Sequence, residues 1–256
     1  GSSGTMASCR RPISETVGNF LKSWGASIKP QATSVKRSHC GSLVSGLKID
    51  LTERYNMNTI EALKIVGGLS KPSKMPGWAY GIPAAECKTG KKLQDVPGST
   101  CEGCYATKGC YVFPVVQAAQ YRRLEAIKSP LWVGAMALLI NSKKSKWFRW
   151  HDSGDVQNVD HLLKIFAVCK LTPDTRHWLP TREAWTKDFL DQVPGNLTLR
   201  FSMPMIDQPA AGSWANTSTV VSGQGRTCPA PDQSNECKDC RACWDPSVRN
   251  VAYGKH

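Results

Sequence analysis

Cysteine is the residue type whose spacing in this chain most clearly indicates chemistry. Seven of the eleven cysteines fall into two compact groups: Cys87, Cys101 and Cys104 early in the chain, and Cys228, Cys237, Cys240 and Cys243 near its end. A Cys-x-x-Cys pair brings two thiolates to one metal centre while the backbone turns around it. Because the total is odd, and clustered thiols in a reducing compartment more often bind metal than pair, the spacing predicts iron–sulfur clusters or zinc.

The early group supplies three thiolates, one fewer than would enclose a cluster. A [4Fe-4S] cluster held in this way leaves one iron free for a ligand, where it can act as a Lewis acid. Cys110 is left outside this prediction, since it fits a fourth ligand and a free thiol equally well. We therefore expect the early group to be the reactive one.

The late group supplies four thiolates and can close its own site. Structural zinc and an auxiliary [4Fe-4S] cluster both accept four thiolates. The repeated Cys-x-x-Cys step from Cys237 to Cys243 resembles ferredoxin-type ligation and favours the cluster. A single metal site shared by both groups also fits the spacing.

Short apolar strands alternate with amphipathic helices over most of the chain. Strands are predicted at residues 147–150, 176–179 and 197–202, and helices at residues 113–128, 130–141, 159–170 and 182–192. This alternation predicts right-handed βαβ units and a parallel α/β sheet, closed fully or partly into a TIM-like (β/α) barrel. Ligands of such folds bind at the carboxyl ends of the strands.

Polar residues that could surround a ligand lie at or just beyond these strands. They are His151, Ser153, Gly154 and Asp155 after the first, Arg182 and Glu183 after the second, and Arg200 within the third. His151 and Asp155 are predicted catalytic acids or bases, with a helix cap as the structural alternative for this segment.

Two of these residues suit an amino-acid-like ligand. Arg182 and Glu183 would clamp its carboxylate and amine as further catalytic-site residues, unless they form a first-turn ion pair on a solvated helix. The predicted cofactor-binding residues are Tyr105, Ser153, Gly154 and Arg200. Gly154 would let backbone approach the ligand closely, and Arg200 would need an anionic partner inside an apolar strand.

The chain divides into four predicted segments. Residues 1–5 are typical of an expression-tag remnant, and residues 6–75 of an N-terminal helical extension with apolar helical spacing at 13–24 and 58–69. Two prolines in the segment Lys71–Gly77 mark its end. The barrel-like domain then covers residues 76–226, and a Cys-rich C-terminal segment packed on the barrel covers residues 227–256.

Composition narrows the functional classes. The formal charge is +13, but lysine and arginine are scattered, which favours a solvated basic surface over a nucleic-acid interface. No apolar run reaches the roughly 20 residues of a membrane span, and no secretory signal follows Met6. The sequence has no phosphate-binding glycine loop, dinucleotide fingerprint or nucleophile elbow. We expect a cytoplasmic protein that does not bind membranes.

Two resemblances extend this interpretation. The run Cys101-x-x-Cys104-Tyr105 resembles the end of the radical S-adenosylmethionine signature, although Pro97 stands where that family has its first cysteine and Cys87 would replace it. Longer stretches resemble the phage "gene product 88" family: Gly81–Cys87, Val96–Cys101, Phe148–Asp155, Leu179–Glu183 and Cys237–Trp244. The second resemblance implies a phage or prophage protein acting in the infected host's cytoplasm, and a diverged radical-enzyme-like barrel.

The leading hypothesis is an iron–sulfur enzyme, supplied by an electron donor. Its early cluster would bind S-adenosylmethionine or a similar amino-acid-like small molecule at the strand mouth. A second hypothesis keeps the cluster but has the free iron bind sulfur, in a lyase or desulfidase reaction without radical chemistry. A third is a zinc-stabilised nucleic-acid-binding phage protein without catalysis.

Overall fold

The structure is a computed structural model that describes residues 56–255. Its strands are β1 (Trp78–Tyr80), β2 (Trp147–Trp150), β3 (Arg176–Thr181), β4 (Leu197–Ile206), β5 (Thr217–Val221) and β6 (Asn250–Gly254). Its α-helices are α1 (Thr59–Val66), α2 (Lys88–Leu93), α3 (Pro114–Ala126), α4 (Trp132–Ser142) and α5 (Val159–Leu171). Short 3₁₀ turns lie at Ala84–Glu86, Tyr105–Thr107, Gly109–Val112, Ala184–Gln192, Ala230–Gln233 and Ala242–Trp244.

The six strands form one parallel sheet in sequential order, β1-β2-β3-β4-β5-β6. A parallel sheet in which each strand pairs with the next one in the chain has the strand order of a (β/α) barrel. Within the described residues, pairing ends at β1 and β6, so closure into a barrel is not shown. The predicted parallel α/β fold is confirmed at this coarser level.

Most of the predicted elements are present. The three predicted strands and the helices predicted from 113 to 170 match β2–β4 and α3–α5, and α1 falls within the predicted helix at 58–69. Residues 182–192 were predicted to be an α-helix and instead form 3₁₀ turns over Ala184–Gln192. The first turn has an i→i+3 hydrogen bond from Thr186 N to Glu183 O. Thr186 Oγ1 donates to the same carbonyl, and this second bond favours the 3₁₀ turn over the wider α-helical turn.

Other sequence-based expectations concern residues outside the range 56–255 or are not tested by the structure. The predicted helix at 13–24 and the tag remnant at 1–5 lie before the described residues. The domain boundaries at 75 and 226 stay predictions. No helix within residues 56–255 is long and apolar enough to cross a membrane.

The helix-covered face of the sheet carries the main core. Phe148, Trp150, Leu179 and Leu199 pack there with α4, whose residues from Trp132 to Ile140 are all buried. This explains why α4 is apolar around its whole circumference. Burial of these side chains against α4 fixes which face of β2 and β3 is covered by helices.

Tyr80 anchors three helices to the first strand on this face. Its hydroxyl lies 2.8 Å from the carbonyl oxygens of Val66 and Arg123 and accepts from Trp132 Nε1 at 3.1 Å. The bonds connect β1 to the ends of α1, α3 and α4. A buried hydroxyl with several partners specifies one arrangement of these elements.

The opposite face is covered by the Cys-rich C-terminal segment rather than by helices. Trp178, Cys243, Trp244 and Val251 form a separate buried cluster on it. Trp244 Nε1 donates to the carbonyl of Phe148 at 2.9 Å, which joins this segment to β2. Both faces of the parallel sheet are therefore buried, as such sheets require.

Acid is expected to destabilise the protein through His177, which is completely buried in β3. Burial lowers the pKa of His177 to about 3, whereas the unfolded chain binds a proton with a pKa of about 6.5. Folding is therefore unopposed by His177 above about pH 6.5, where the side chain is neutral in both states. Below that pH the free energy of unfolding falls by roughly 1.4 kcal/mol per pH unit until about pH 3. Urea unfolding of wild type and His177→Gln at about pH 7 and about pH 5 checks this: the wild type should lose about 2 kcal/mol more. Equal losses would contradict it.

Candidate functional site

The early cysteine loop lies across the carboxyl ends of the central strands. Thr100 N donates to Pro204 O in β4 at 2.8 Å, and Ser99 forms an isolated bridge with Met205. The Tyr105 hydroxyl donates to the carbonyl of Asp152, just beyond β2, at 2.8 Å. These bonds place the loop at the end of the sheet where parallel α/β proteins bind ligands.

The structure brings the three early cysteines together. Burial raises the pKa of Cys87 to about 12, and the nearby Asp155, Cys104 and Cys101 raise it as well. Burial also raises the pKa of Cys101, while the Arg182 guanidinium lowers it. Thiols with raised pKa values keep their protons at neutral pH, so a metal that binds them has to displace those protons.

Gly90 keeps space open beside two of these thiols. A Cβ atom on Gly90 would lie 3.2 Å from Cys87 Cβ and 3.5 Å from Cys101 Sγ. Within residues 56–255, no three His, Cys, Asp or Glu side chains converge tightly enough to hold a single metal ion. The thiols of an iron–sulfur cluster bind different irons and stand farther apart than the ligands of one ion. Such a cluster would take the thiols of Cys87 and Cys101, which lie beside Gly90, and that of Cys104, which lies near Cys87.

Arg182 and Glu183 hold this loop in place. Arg182 donates from Nε and Nη2 to Thr100 Oγ1 at 3.0 and 2.6 Å. The Glu183 carboxylate accepts from Thr89 N and Trp185 Nε1, both at 3.0 Å. Thr89 and Thr100 are close in sequence to Cys87 and Cys101, so the predicted ligand clamp instead attaches the cysteine loop to the end of β3.

Asp155 lies near the Cys87 thiol. Its carboxylate accepts from Val156 N at 2.7 Å and Arg182 N at 2.8 Å. Burial raises its pKa to about 6, although bonds from Arg182, Thr181 and Val156 oppose the shift. A carboxyl group with this pKa can exchange a proton near neutral pH.

His151 lies beside helix α5. It adopts the left-handed region at φ 54°, and its ring lies 5.3 Å from that of His161 in α5. Burial lowers its pKa to about 3, and neither ring nitrogen has a hydrogen-bond partner. The sequence analysis did not single out His161. Its Nδ1 accepts a hydrogen bond from Gln157 N at 3.3 Å, which gives this buried histidine a polar partner.

Ser153 and Gly154 also belong to the turn after β2. Ser153 is buried, and its Oγ lacks a partner. At Gly154 (φ 82°), a Cβ atom would lie 2.3 Å from Ile82 Cγ1. The same Cβ atom would lie 2.8 Å from Ile82 O, so the backbone here approaches the segment after β1, and an approach to a ligand stays a prediction.

The late cysteines meet on the sheet face opposite the helices. Cys228 N donates to Ala252 O at 3.0 Å, and the Cys243 thiol lies 3.1 Å from the Tyr253 hydroxyl. Burial raises the pKa of Cys243 to about 11 and also raises that of Cys237, and the nearby Cys228 thiol adds to both shifts. Cys240 likewise raises the pKa of Cys237, so the four thiols form one group.

Arg200 is not brought to the early site. Its guanidinium is fully buried and donates all five N–H groups to main-chain carbonyls at 2.7–3.2 Å. The acceptors are the carbonyl oxygens of Thr217, Ala242, Cys243, Asp245 and Val248. It secures the Cys-rich segment and has no donor left for a ligand.

Arg149 is a candidate site residue that the sequence analysis missed. Its guanidinium lies 4.6 Å from the centre of the Trp178 ring, and its Nη2 lies 3.5 Å from the Tyr105 hydroxyl. Burial lowers the pKa of Arg149, but Tyr105, Asp152 and Tyr253 together raise it by more. Its position inside the aromatic run Trp147–Trp150 could have indicated a special role, just as the position of Arg200 inside an apolar strand did.

The fold and site define a class: parallel α/β proteins with one cysteine group at the strand ends and another on the sheet face opposite the helices. The phage gene product 88 family matches residues 51–246, well over half of the chain, and the chain belongs to that family. No curated protein and no solved structure matches it. These comparisons give no support to the resemblance to radical S-adenosylmethionine enzymes.

Gly90→Ala is expected to reduce metal binding by the early group while leaving the fold intact. The added methyl group would occupy the space beside Cys87 and Cys101, whereas alanine suits helix α2. Metal per chain and circular dichroism check this, with Gly195→Ala as control because its Cβ would meet no atom within 4 Å. Full metal content in Gly90→Ala would be evidence against an early metal site.

Arg200→Met is expected to destabilise the protein by about 3–5 kcal/mol, because it leaves five buried carbonyls without their donor. Denaturant unfolding measures the change. The control is Arg226→Met, which removes a solvent-accessible ion pair with Asp232 and should change stability by less than about 1 kcal/mol. Similar losses in the two variants would contradict a structural role for Arg200.

Proposed function

We propose that this phage-family protein is an iron–sulfur enzyme whose early cysteine group holds a [4Fe-4S] cluster and binds an amino-acid-like small molecule such as S-adenosylmethionine. The observation that carries the proposal is the meeting of Cys87, Cys101 and Cys104 at the carboxyl ends of the strands, with Gly90 beside the first two. Three thiolates leave one iron open to a ligand. When bound, the cluster would supply a redox-active, Lewis-acidic iron.

The chain's own residues would prepare this place for chemistry. Burial raises the pKa of the Cys101 thiol, and the Arg182 guanidinium opposes this rise, which helps the thiolate that metal binding needs. Asp155, anchored by two main-chain N–H groups, can hold or release a proton on its carboxyl group near neutral pH because its pKa is raised to about 6. Tyr105 fixes the loop through its bond to Asp152 O.

The late group would hold a second cluster with no open iron. Four thiolates saturate the metal, and the surrounding Trp178, Trp244 and Val251 limit solvent access. We therefore assign it a structural or electron-transfer role, with an external electron donor serving the early site. The place of action that follows is the cytoplasm of the infected host.

Metal analysis tests the cluster directly. Protein purified without oxygen should be brown, absorb broadly near about 400 nm and contain about eight iron atoms per chain if both groups bind [4Fe-4S] clusters. Cys87→Ser should lose about four of them, whereas Cys110→Ser should keep all, because Cys110 is exposed and outside the proposed ligand set. A colourless chain that contains zinc and no iron would support the zinc-stabilised nucleic-acid-binding alternative instead.

Addition of S-adenosylmethionine to the reduced, iron-loaded protein then identifies the reaction class. Formation of 5′-deoxyadenosine would support radical chemistry. Its absence, together with sulfide release from a sulfur-containing small molecule, would support the lyase or desulfidase alternative at the same iron.

A further inference from the structure

The hydrogen-bonding capacity of Arg149 is largely unused. A guanidinium has five N–H donors. Two of its nitrogens make long contacts, Nη2 to the Tyr105 hydroxyl at 3.5 Å and Nη1 to Met75 Sδ at 3.7 Å, and the buried Nε has no partner. Arg200, on the same face of the sheet, uses all five donors.

The positive charge of Arg149 also makes no direct ion pair, although the Asp152 carboxylate is near enough to raise its pKa. None of the ion pairs formed within residues 56–255 includes it. A guanidinium partly withdrawn from water is unfavourable unless an anion compensates it. Its position therefore indicates an anionic partner that the described side chains do not supply through direct contact.

The location of Arg149 identifies where that anion would lie. Its neighbours Phe148 and Trp150 point into the helix-side core, so Arg149 extends over the opposite face, against Trp178. On one side is Tyr105, which directly follows Cys104 and is about half exposed. On the other side is the late group, since the charge of Arg149 lowers the pKa of Cys237 and Cys243.

We propose that Arg149 binds the carboxylate of the small-molecule ligand in the space between the two cysteine groups. The proposal rests on the proposed function and replaces the predicted Arg182–Glu183 clamp, whose polar groups already hold the cysteine loop. Nη1 and Nη2 form the outer edge of a guanidinium, which can donate two parallel bonds to a carboxylate. A carboxylate there would replace the long contacts of Nη2 with the Tyr105 hydroxyl and of Nη1 with Met75 Sδ.

The test compares two probes on the full, iron-loaded chain: S-adenosylmethionine and its decarboxylated analogue, measured by calorimetry without oxygen. Wild type should bind the analogue about ten- to hundredfold more weakly, the loss expected for a charge-assisted hydrogen bond. Arg149→Met should lose the same factor for S-adenosylmethionine and nothing further for the analogue. Arg149→Lys, which keeps the charge without the two-pronged geometry, should fall between.

The matched control is Arg176→Met, which removes an exposed positive charge at the opposite end of the neighbouring strand β3 and should change neither affinity. The proposal is wrong if Arg149→Met weakens both probes equally or neither. If Arg149→Met leaves both affinities unchanged and shifts the spectrum of the late cluster, the positive charge of Arg149 serves the late cysteine thiolates and not a ligand.

A second measurement needs neither a variant nor S-adenosylmethionine binding. Phenylglyoxal modifies accessible guanidinium groups, and peptide mass spectrometry locates the adduct on Arg149. Malonate, a dicarboxylate, should slow this reaction more than chloride at equal ionic strength, and equal rates would overturn the carboxylate site. A chain that contains no iron refutes the proposed function, whereas slowing by malonate in that same chain would still support Arg149 as a carboxylate-binding residue.

Discussion

The five hydrogen bonds of the Arg200 guanidinium are the interaction on which the arrangement of the sheet depends. A parallel sheet must be covered on both faces, and the connections available to this chain cover only one of them with helices. The other face is covered by irregular backbone, whose carbonyls would be costly to bury alone. One arginine in β4 supplies donors to four of these carbonyls, and a fifth donor to Thr217 O in β5, and so makes a non-helical cover possible.

The two cysteine groups follow from this arrangement. The late group lies in the segment that covers the sheet, and the early group lies in a loop held across the strand ends by Tyr105, Arg182 and Glu183. Each group is thus positioned by main-chain and side-chain bonds that do not involve its sulfur atoms. Arg149 lies between them on β2, and the sheet itself sets the separation of the two groups.

Sequence patterns predicted the parts of the fold that bury apolar side chains. Strands β2, β3 and β4 are recognisable because buried parallel strands are rich in apolar residues, and α4 because it is apolar throughout. Strand β5 begins Thr-Ser-Thr, and its buried hydroxyls bond to neighbouring strands, as Thr217 does to Asn250. Such a strand has no apolar signature. Spacing also grouped the cysteines into an early and a late set. It could not show that the donors of Arg200 are all used while those of Arg149 are not, because the acceptors of an arginine lie on backbone that is distant in sequence.

The position of the Arg200 acceptors has a consequence for biosynthesis. Four of the five carbonyls belong to residues from Ala242 to Val248, which follow β4 and β5 in the chain. While the ribosome is still making this segment, β4 is complete but its arginine lacks most of its partners. The charged face of the nascent sheet must remain hydrated until residues 242–248 emerge, and only then can strand β6 add to its edge. Completion of the sheet therefore has to wait for the synthesis of the segment that covers it.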